Sequence, residues 1–317
     1  MNAEPPRIVS LLPAATDTIL ALGAGDCLVG ISHECSAPPW RPDIARPSRP
    51  GLDPAARSGI IDRDVRRLIE QGLSVYEIDA TALNQLKPDV IVTQTQCAVC
   101  AVTPEDLAAA LAEWVGAAPV LLSLAPTTLS GACEDMRRIA NAIGRDAEGC
   151  TMLAALTERI EQLAAIGAAR DKRPSVAIVE WLDPPMGAGN WMPELVTLAG
   201  GDPLFGEAGQ HTPFVTVNDI AAADPDILIF APCGFPLAQT LAELPNVFAM
   251  AGWQAIQALS EGRAFAADGN RYFNRPGPGL VDTLAMLVAM LDGRDADGDG
   301  FTRIDVAGQA KRWPTAI

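Results

Sequence analysis

Leu86-Lys87-Pro88-Asp89-Val90-Ile91-Val92 has a counterpart in the second half of the chain, Ala223-Asp224-Pro225-Asp226-Ile227-Leu228-Ile229. Each phrase leaves a helical turn, passes through a Pro-Asp pair and enters a short aliphatic strand. Working outward from the first copy, strands are predicted over 7–12, 27–32, 90–93 and 119–123, with a strand or a strand-to-helix turn over 74–78. Helices are predicted over 14–22, 65–71 and 104–114, the last with Pro104 in its first turn. Around the second copy the alternation restarts, with strands over 175–180, 226–230 and 264–267. Helices there cover 194–199, 217–223, 238–244, 253–258 and 280–291. Short apolar strands alternating with helices predict a parallel α/β sheet covered on both faces. The repeated order predicts a duplicated architecture.

Between the two halves, 129–168 reads as helical, punctuated by Gly144 and Gly149. Its second part carries Leu153, Leu156, Ile160 and Leu163 at helical spacing and would span roughly 28 Å at 1.5 Å per residue. The expected fold class is therefore α/β: two Rossmann-like lobes with central parallel sheets, joined by one long linker helix. The expected boundaries are 1–148 for the first lobe, 149–170 for the linker and 171–292 for the second lobe. A polar acidic extension would follow over 293–317.

Composition narrows the function. The chain has 317 residues, 49% of them hydrophobic and 20% charged, which supports a sizeable core. Lys plus Arg number 23 against 39 Asp plus Glu, a formal charge of −16. A field of that sign repels phosphate backbones and anionic lipid, so no nucleic acid and no membrane surface is expected as partner. No apolar run reaches the ~20 residues of a membrane span, so no membrane insertion is expected. The opening residues lack a basic, then apolar, then small-residue leader pattern, and seven Cys, an odd number, argue against a disulfide framework. The chain as written is expected to be cytoplasmic, and periplasmic if its true start lies upstream.

In open parallel sheets ligands sit beyond the carboxyl ends of the strands. The residues following each predicted strand are Ser32-His33-Glu34-Cys35, Gln96-Cys97-Ala98-Val99-Cys100, Glu180-Trp181, Pro232-Cys233-Gly234 and Arg271-Tyr272-Phe273-Asn274-Arg275. Trp191 follows Glu180-Trp181 by a short loop. His33, Cys35, Cys97 and Cys100 together offer one imidazole and three thiols, a donor set for zinc or an iron–sulfur cluster. Trp181, Trp191 and Tyr272 offer flat apolar walls for a large planar ligand. Arg271 and Arg275 are expected either to hold a carboxylate or amide periphery or to pair with nearby Asp. Cys97 or Cys233 as the nucleophile of a thiol enzyme is a further alternative. Cys27, Cys133 and Cys150 read as small buried hydrophobes. Asp295, Asp297, Asp299 and Gly300 follow the start of a calcium loop, but Thr302 and Val306 occupy positions where an apolar residue and an acid are needed, so a solvated tail is expected. No Gly-rich phosphate loop, nucleophile elbow or His-Glu-x-x-His helix is present.

The opening, Arg7-Ile-Val-Ser-Leu-Leu-Pro-Ala-Ala-Thr-Asp-Thr-Ile-Leu-Ala-Leu-Gly-Ala-Gly-Asp-Cys-Leu-Val-Gly-Ile-Ser32, resembles that of the cobalamin- and iron-chelate-binding solute receptors of ABC importers. The 86–92 phrase and the helix following Gly277-Pro-Gly279 fit the same pattern, and the resemblance covers about residues 7–292. Ser32-His-Glu-Cys35, Gln96-Cys-Ala-Val-Cys100, Glu180-Trp181 and Tyr272-Phe-Asn-Arg-Pro-Gly277 are similar to a Cys-containing, cobalamin-binding-like subgroup. The resemblance implies the class III solute-binding fold, a non-enzymatic role, and a cobalamin-like corrinoid or metal chelate gripped between the lobes. Ligand contacts would come from His33, Glu180, Trp181, Trp191, Cys233, Tyr272 and Asn274, with His33 able to ligate cobalt as neutral imidazole. An ABC-transporter permease would be the partner if the chain is exported. The alternative is a cytosolic metal or iron–sulfur protein, an enzyme included, using His33, Cys35, Cys97 and Cys100.

Overall fold

The computed structural model of the chain describes residues 4–71, 73–95, 107, 118–294 and 300–304. In chain order it forms β1 (Ile8–Ser10), α1 (Pro13–Ala21), β2 (Leu28–Ile31), β3 (Ser48–Pro50), α2 (Ser58–Glu70), β4 (Tyr76–Ile78), α3 (Ala80–Leu86), β5 (Val90–Gln94) and β6 (Val120–Leu124). Then come α4 (Leu129–Ala142), α5 (Asp146–Ala168), β7 (Ser175–Leu182), β8 (Pro185–Gly187), α6 (Met192–Leu198), β9 (Asp202–Leu204), α7 (Val217–Ala223) and β10 (Ile227–Phe230). The remainder is α8 (Leu237–Ala249), α9 (Gln257–Ser260), β11 (Ala264–Ala267), α10 (Leu280–Leu291) and β12 (Phe301–Arg303). The helix predicted over 104–114 lies outside the described residues.

The first sheet runs β2-β1-β5-β6, all parallel. The second has a parallel centre, β11-β10-β7 with β9 beside β7, and antiparallel edges at β12 and β8. Strands buried on both faces explain the nearly continuous aliphatic runs at β1, β5, β7 and β10. A small antiparallel pair, β3-β4, stands apart from both sheets.

The repeated phrase does the same work twice. Lys87 and Asp224 end α3 and α7 in the left-handed conformation, at φ 44° and 43°. The Asp two residues later then clamps the neighbouring parallel strand. Asp89 Oδ2 accepts from Arg7 N at 2.7 Å, and Asp226 Oδ2 from Ser175 N at 2.9 Å. The backbone hydrogen bond from Ser175 holds the Asp226 carboxyl below its ordinary range.

The helical stretch divides at Gly144, which takes φ 69°. α5 packs Leu153 and Leu156 with Met136 of α4, while Leu163 joins the core beneath the second sheet. Gly149 faces Ala140 so closely that a Cβ would lie 2.5 Å from it. Cys150, one residue on, is therefore rotated outward and is exposed, not buried as expected. Cys27 is buried and Cys133 half-buried. At the far end of α5 a Cβ on Gly167 would meet Leu198 O at 2.2 Å. Gly167→Ala should destabilise the protein by about 2 kcal/mol or more, because backbone must move, and urea denaturation would read it. Phe301, expected in a solvated tail, is buried in β12 against Phe265.

Candidate functional site

The loop after β2 begins at Ser32 and is tied down by Arg46, whose Nη1 donates to the carbonyls of Ser32, His33 and Cys35 at 2.7, 3.1 and 3.0 Å. His33 is half-buried. Its Nδ1 lies 2.9 Å from Ser48 Oγ of β3, and its ring lies 5.5 Å from that of Tyr76 in β4. Burial first, and the Arg46 charge second, hold its pKa below the ordinary value, so the ring is neutral near pH 7. Glu34 accepts from the Tyr76 hydroxyl at 3.1 Å. Burial pushes its carboxyl up to about 7, against the Tyr76 hydrogen bond and the Arg275 charge.

On the second sheet the chain leaves β11 into a wide helical turn, Gly269–Phe273, capped by Asp268, whose Oδ1 accepts from Arg271 N at 2.7 Å. Gly269 is required: a Cβ would lie 2.0 Å from Pro232 O. This close approach seats the turn on the Pro232-Cys233 loop after β10. Asn270 N donates to Phe235 O at 3.1 Å, and Phe235 meets the Trp181 ring edge-on at 5.5 Å. Asn270 O in turn accepts from Arg275 Nε at 3.0 Å. The other arm of Arg275, Nη1, reaches Asp17 Oδ2 of α1 at 2.9 Å. Arg275 is 7% exposed, so this contact between the two halves is largely dry.

A continuous chain of contacts thus runs from Trp181 through Phe235, Asn270 and Arg275 to Asp17, and the Arg275 charge also acts on Glu34. Packing around α1 is close. The void between α1, Leu124, Pro126, α4 and Pro276 measures about 10 Å³, room for one water at most. A second bridge lies between α2 and α8, where the Glu243 carboxylate accepts from Ser58 N at 2.9 Å.

Several expected contacts are used internally. Trp191 is 6% exposed and belongs to the core under the second sheet. Gly189 presses on the 210–212 backbone and Asn190 takes φ 53°, which turns the indole inward instead of onto an open wall. Asn274 spends its amide on Ala231 O and Gly269 O at 3.1 and 3.2 Å. Glu180 accepts from Thr212 Oγ1 at 3.0 Å and from Gly189 N at 3.4 Å. Tyr272 is half-buried with the Arg271 guanidinium 5.2 Å over its ring.

The metal reading fares differently at each ligand. Cys97 and Cys100 lie outside the described residues. Cys35 is 4% exposed, with its sulfur 3.1 Å from Thr16 Oγ1 beneath β1, and burial pushes its thiol up to about 12. A thiol held neutral in an apolar core is a poor match for a thiolate ligand. Among the described residues no group of three His, Cys, Asp or Glu is close enough to hold a metal ion. Cys233 is half-buried, and among the described residues no imidazole or carboxylate hydrogen-bonds its sulfur.

Sequence reasoning missed Asp17, Ser48, Tyr76 and the Ser58–Glu243 bridge. Only Tyr76 gave a local signal, as one of two tyrosines in the chain.

The family model described as "Periplasmic binding protein" matches residues 8–270. Among curated proteins no sequence matches. Solved structures similar to this chain include the periplasmic heme-binding protein RhuT from Roseiflexus sp. RS-1, at 22% identity and TM-score 0.66, covering 91% of this chain and 99% of that one. The periplasmic vitamin B12 binding protein BtuF of Vibrio cholerae is 18% identical with TM-score 0.65, covering 91% and 97%. A periplasmic heme binding protein from Pseudomonas aeruginosa is 18% identical with TM-score 0.69, covering 96% and 99%.

Proposed function

The chain belongs to the periplasmic binding protein family, and from that premise we propose that it binds a cobalamin-like corrinoid or another metal chelate in the seam between its two halves, as the receptor component of an ABC-type importer. The observation that carries this reading is the Arg275–Asp17 contact. A mostly buried guanidinium from the second half meets the first half beside the loops that follow β2 and β10. His33, Glu34, Tyr76, Trp181, Cys233 and Tyr272 are the side chains offered to the ligand. The role is binding, with no covalent step.

Admission of a planar macrocycle would require the two halves to part, because Arg275 of the second half is held on Asp17 of the first. Helix α5 bridges the two halves and would be the element about which they move. The lining chemistry favours a periphery rich in hydrogen-bond donors. Glu34, beside His33 and Tyr76, is the carboxyl left to accept from a corrinoid amide, since Asp17 is held by Arg275 and Glu180 by Thr212 and Gly189. Neutral His33 suits an axial contact to cobalt. Among the described residues no helix is long and apolar enough to cross a membrane, so an importer's channel would come from a separate permease chain.

Titration of the purified protein with cyanocobalamin, hemin and a ferric siderophore, read by visible absorption and tryptophan quenching, tests the proposal. Saturable binding of cyanocobalamin, weakened by Trp181→Ala, is the expected result. Absence of saturable binding for all three ligands would overturn it.

A further inference from the structure

Helix α2 belongs by sequence to the first half, yet little of it packs there: of its residues Ser58 is the one that is fully buried. In the chain it is inserted between β3 and β4, an antiparallel pair at its base in which Ser48 is registered with Ile78 and Pro50 with Tyr76. Its amino end carries no cap of its own, because Arg57 at the cap position makes no side-chain hydrogen bond. The missing acceptor comes from the other half. Glu243 of α8, 7% exposed, takes Ser58 N at 2.9 and 3.1 Å on its two oxygens and also accepts from the Ser58 hydroxyl. Gln239, one turn earlier in α8, donates to Pro54 O at 3.0 Å. Asp183, just past β7, lies against Gly59, where a Cβ would meet Oδ2 at 2.4 Å. Farther along, the Arg66 guanidinium sits 5.8 Å over the exposed Phe214 ring.

We propose that α2 and its lead-in 51–57 form a strap that closes over the seam, with its first turn ordered by the Glu243 carboxylate from the opposite half. An N-terminal carboxylate satisfies free backbone donors and opposes the helix dipole. When the halves separate, that carboxylate leaves and the first turn loses its cap. The base of the strap reports on the ligand site: Ser48 touches His33 and Tyr76 touches Glu34. Closure at the tip and occupancy at the base are thereby coupled. The link to occupancy rests on the binding function proposed above; capping by Glu243 does not.

Hydrogen exchange on the full chain without ligand tests the strap separately from binding. In Glu243→Ala, amides of 58–61 should exchange about fivefold to tenfold faster, the effect of losing one cap. Amides of β1 and β10 should keep their rates. Ser58→Ala and Gln239→Ala probe the same contact from its other members and should accelerate the same segment if Glu243→Ala fails to fold. Unchanged rates at 58–61 in the variants that fold would overturn the proposal. Equal acceleration across α8 and β10 would overturn it as well, by reducing Glu243 to a general stabiliser.

Discussion

Arg275→Ala should lower unfolding stability by about 2 kcal/mol and weaken ligand binding in the same protein. The guanidinium holds Asn270 O with Nε and Asp17 Oδ2 with Nη1. Both contacts vanish together, and the Asn270 carbonyl loses a charge-assisted donor inside a nearly dry seam. Breaking a fully buried ion pair costs about 3–5 kcal/mol. The Asp17 side chain is 32% exposed and can rehydrate, which brings the expected cost down. Arg275→Lys should recover little of the loss, since one ammonium cannot reach two acceptors held in fork geometry. Urea denaturation gives the stability term, and the cyanocobalamin titration gives the binding term. Stability equal to the parent in Arg275→Ala would mean that the bridge is incidental.

Glu34→Gln should flatten the pH dependence of stability and raise stability above neutral pH. Burial lifts the Glu34 carboxyl from 4.5 to about 7 in the folded protein. The folded state then holds its proton more tightly than the unfolded chain does. Between those two values stability falls as pH rises, and above about 7 the whole penalty of a buried carboxylate is felt. At 1.36 kcal/mol per unit this amounts to about 3 kcal/mol or slightly more. The glutamine variant keeps an acceptor for the Tyr76 hydroxyl and carries no charge to bury. It should match the parent near pH 4 and exceed it near pH 8 in denaturant midpoint. Parallel curves at both pH values would show that Glu34 ionises freely.

The fold was legible because its signals are local. The Pro-Asp phrases put a strand after a left-handed turn, and Asp89 and Asp226 clamp their neighbours in matching fashion. The loops after β2, β7 and β10 were legible by the same logic, since strand ends follow from strand periodicity. What was not legible is long-range. Arg275 meets Asp17 across 258 positions, and Ser58 meets Glu243 across 185, with no local pattern to announce either. Trp191 misled because an aromatic in a strand-end loop is equally able to turn inward, and here the backbone at Gly189 and Asn190 turns it. β12 escaped notice because three residues beyond an acidic run carry no periodicity of their own.

The account turns on one ligand touching both halves at once. Hydroxyl-radical footprinting of the protein with increasing cyanocobalamin tests this directly, because Tyr76 lies on the first half and Trp181 on the second and both are partly exposed. The account predicts that both side chains become protected together, with a single midpoint that matches the binding curve. Saturable binding that protects one of them and leaves the other unchanged would contradict it.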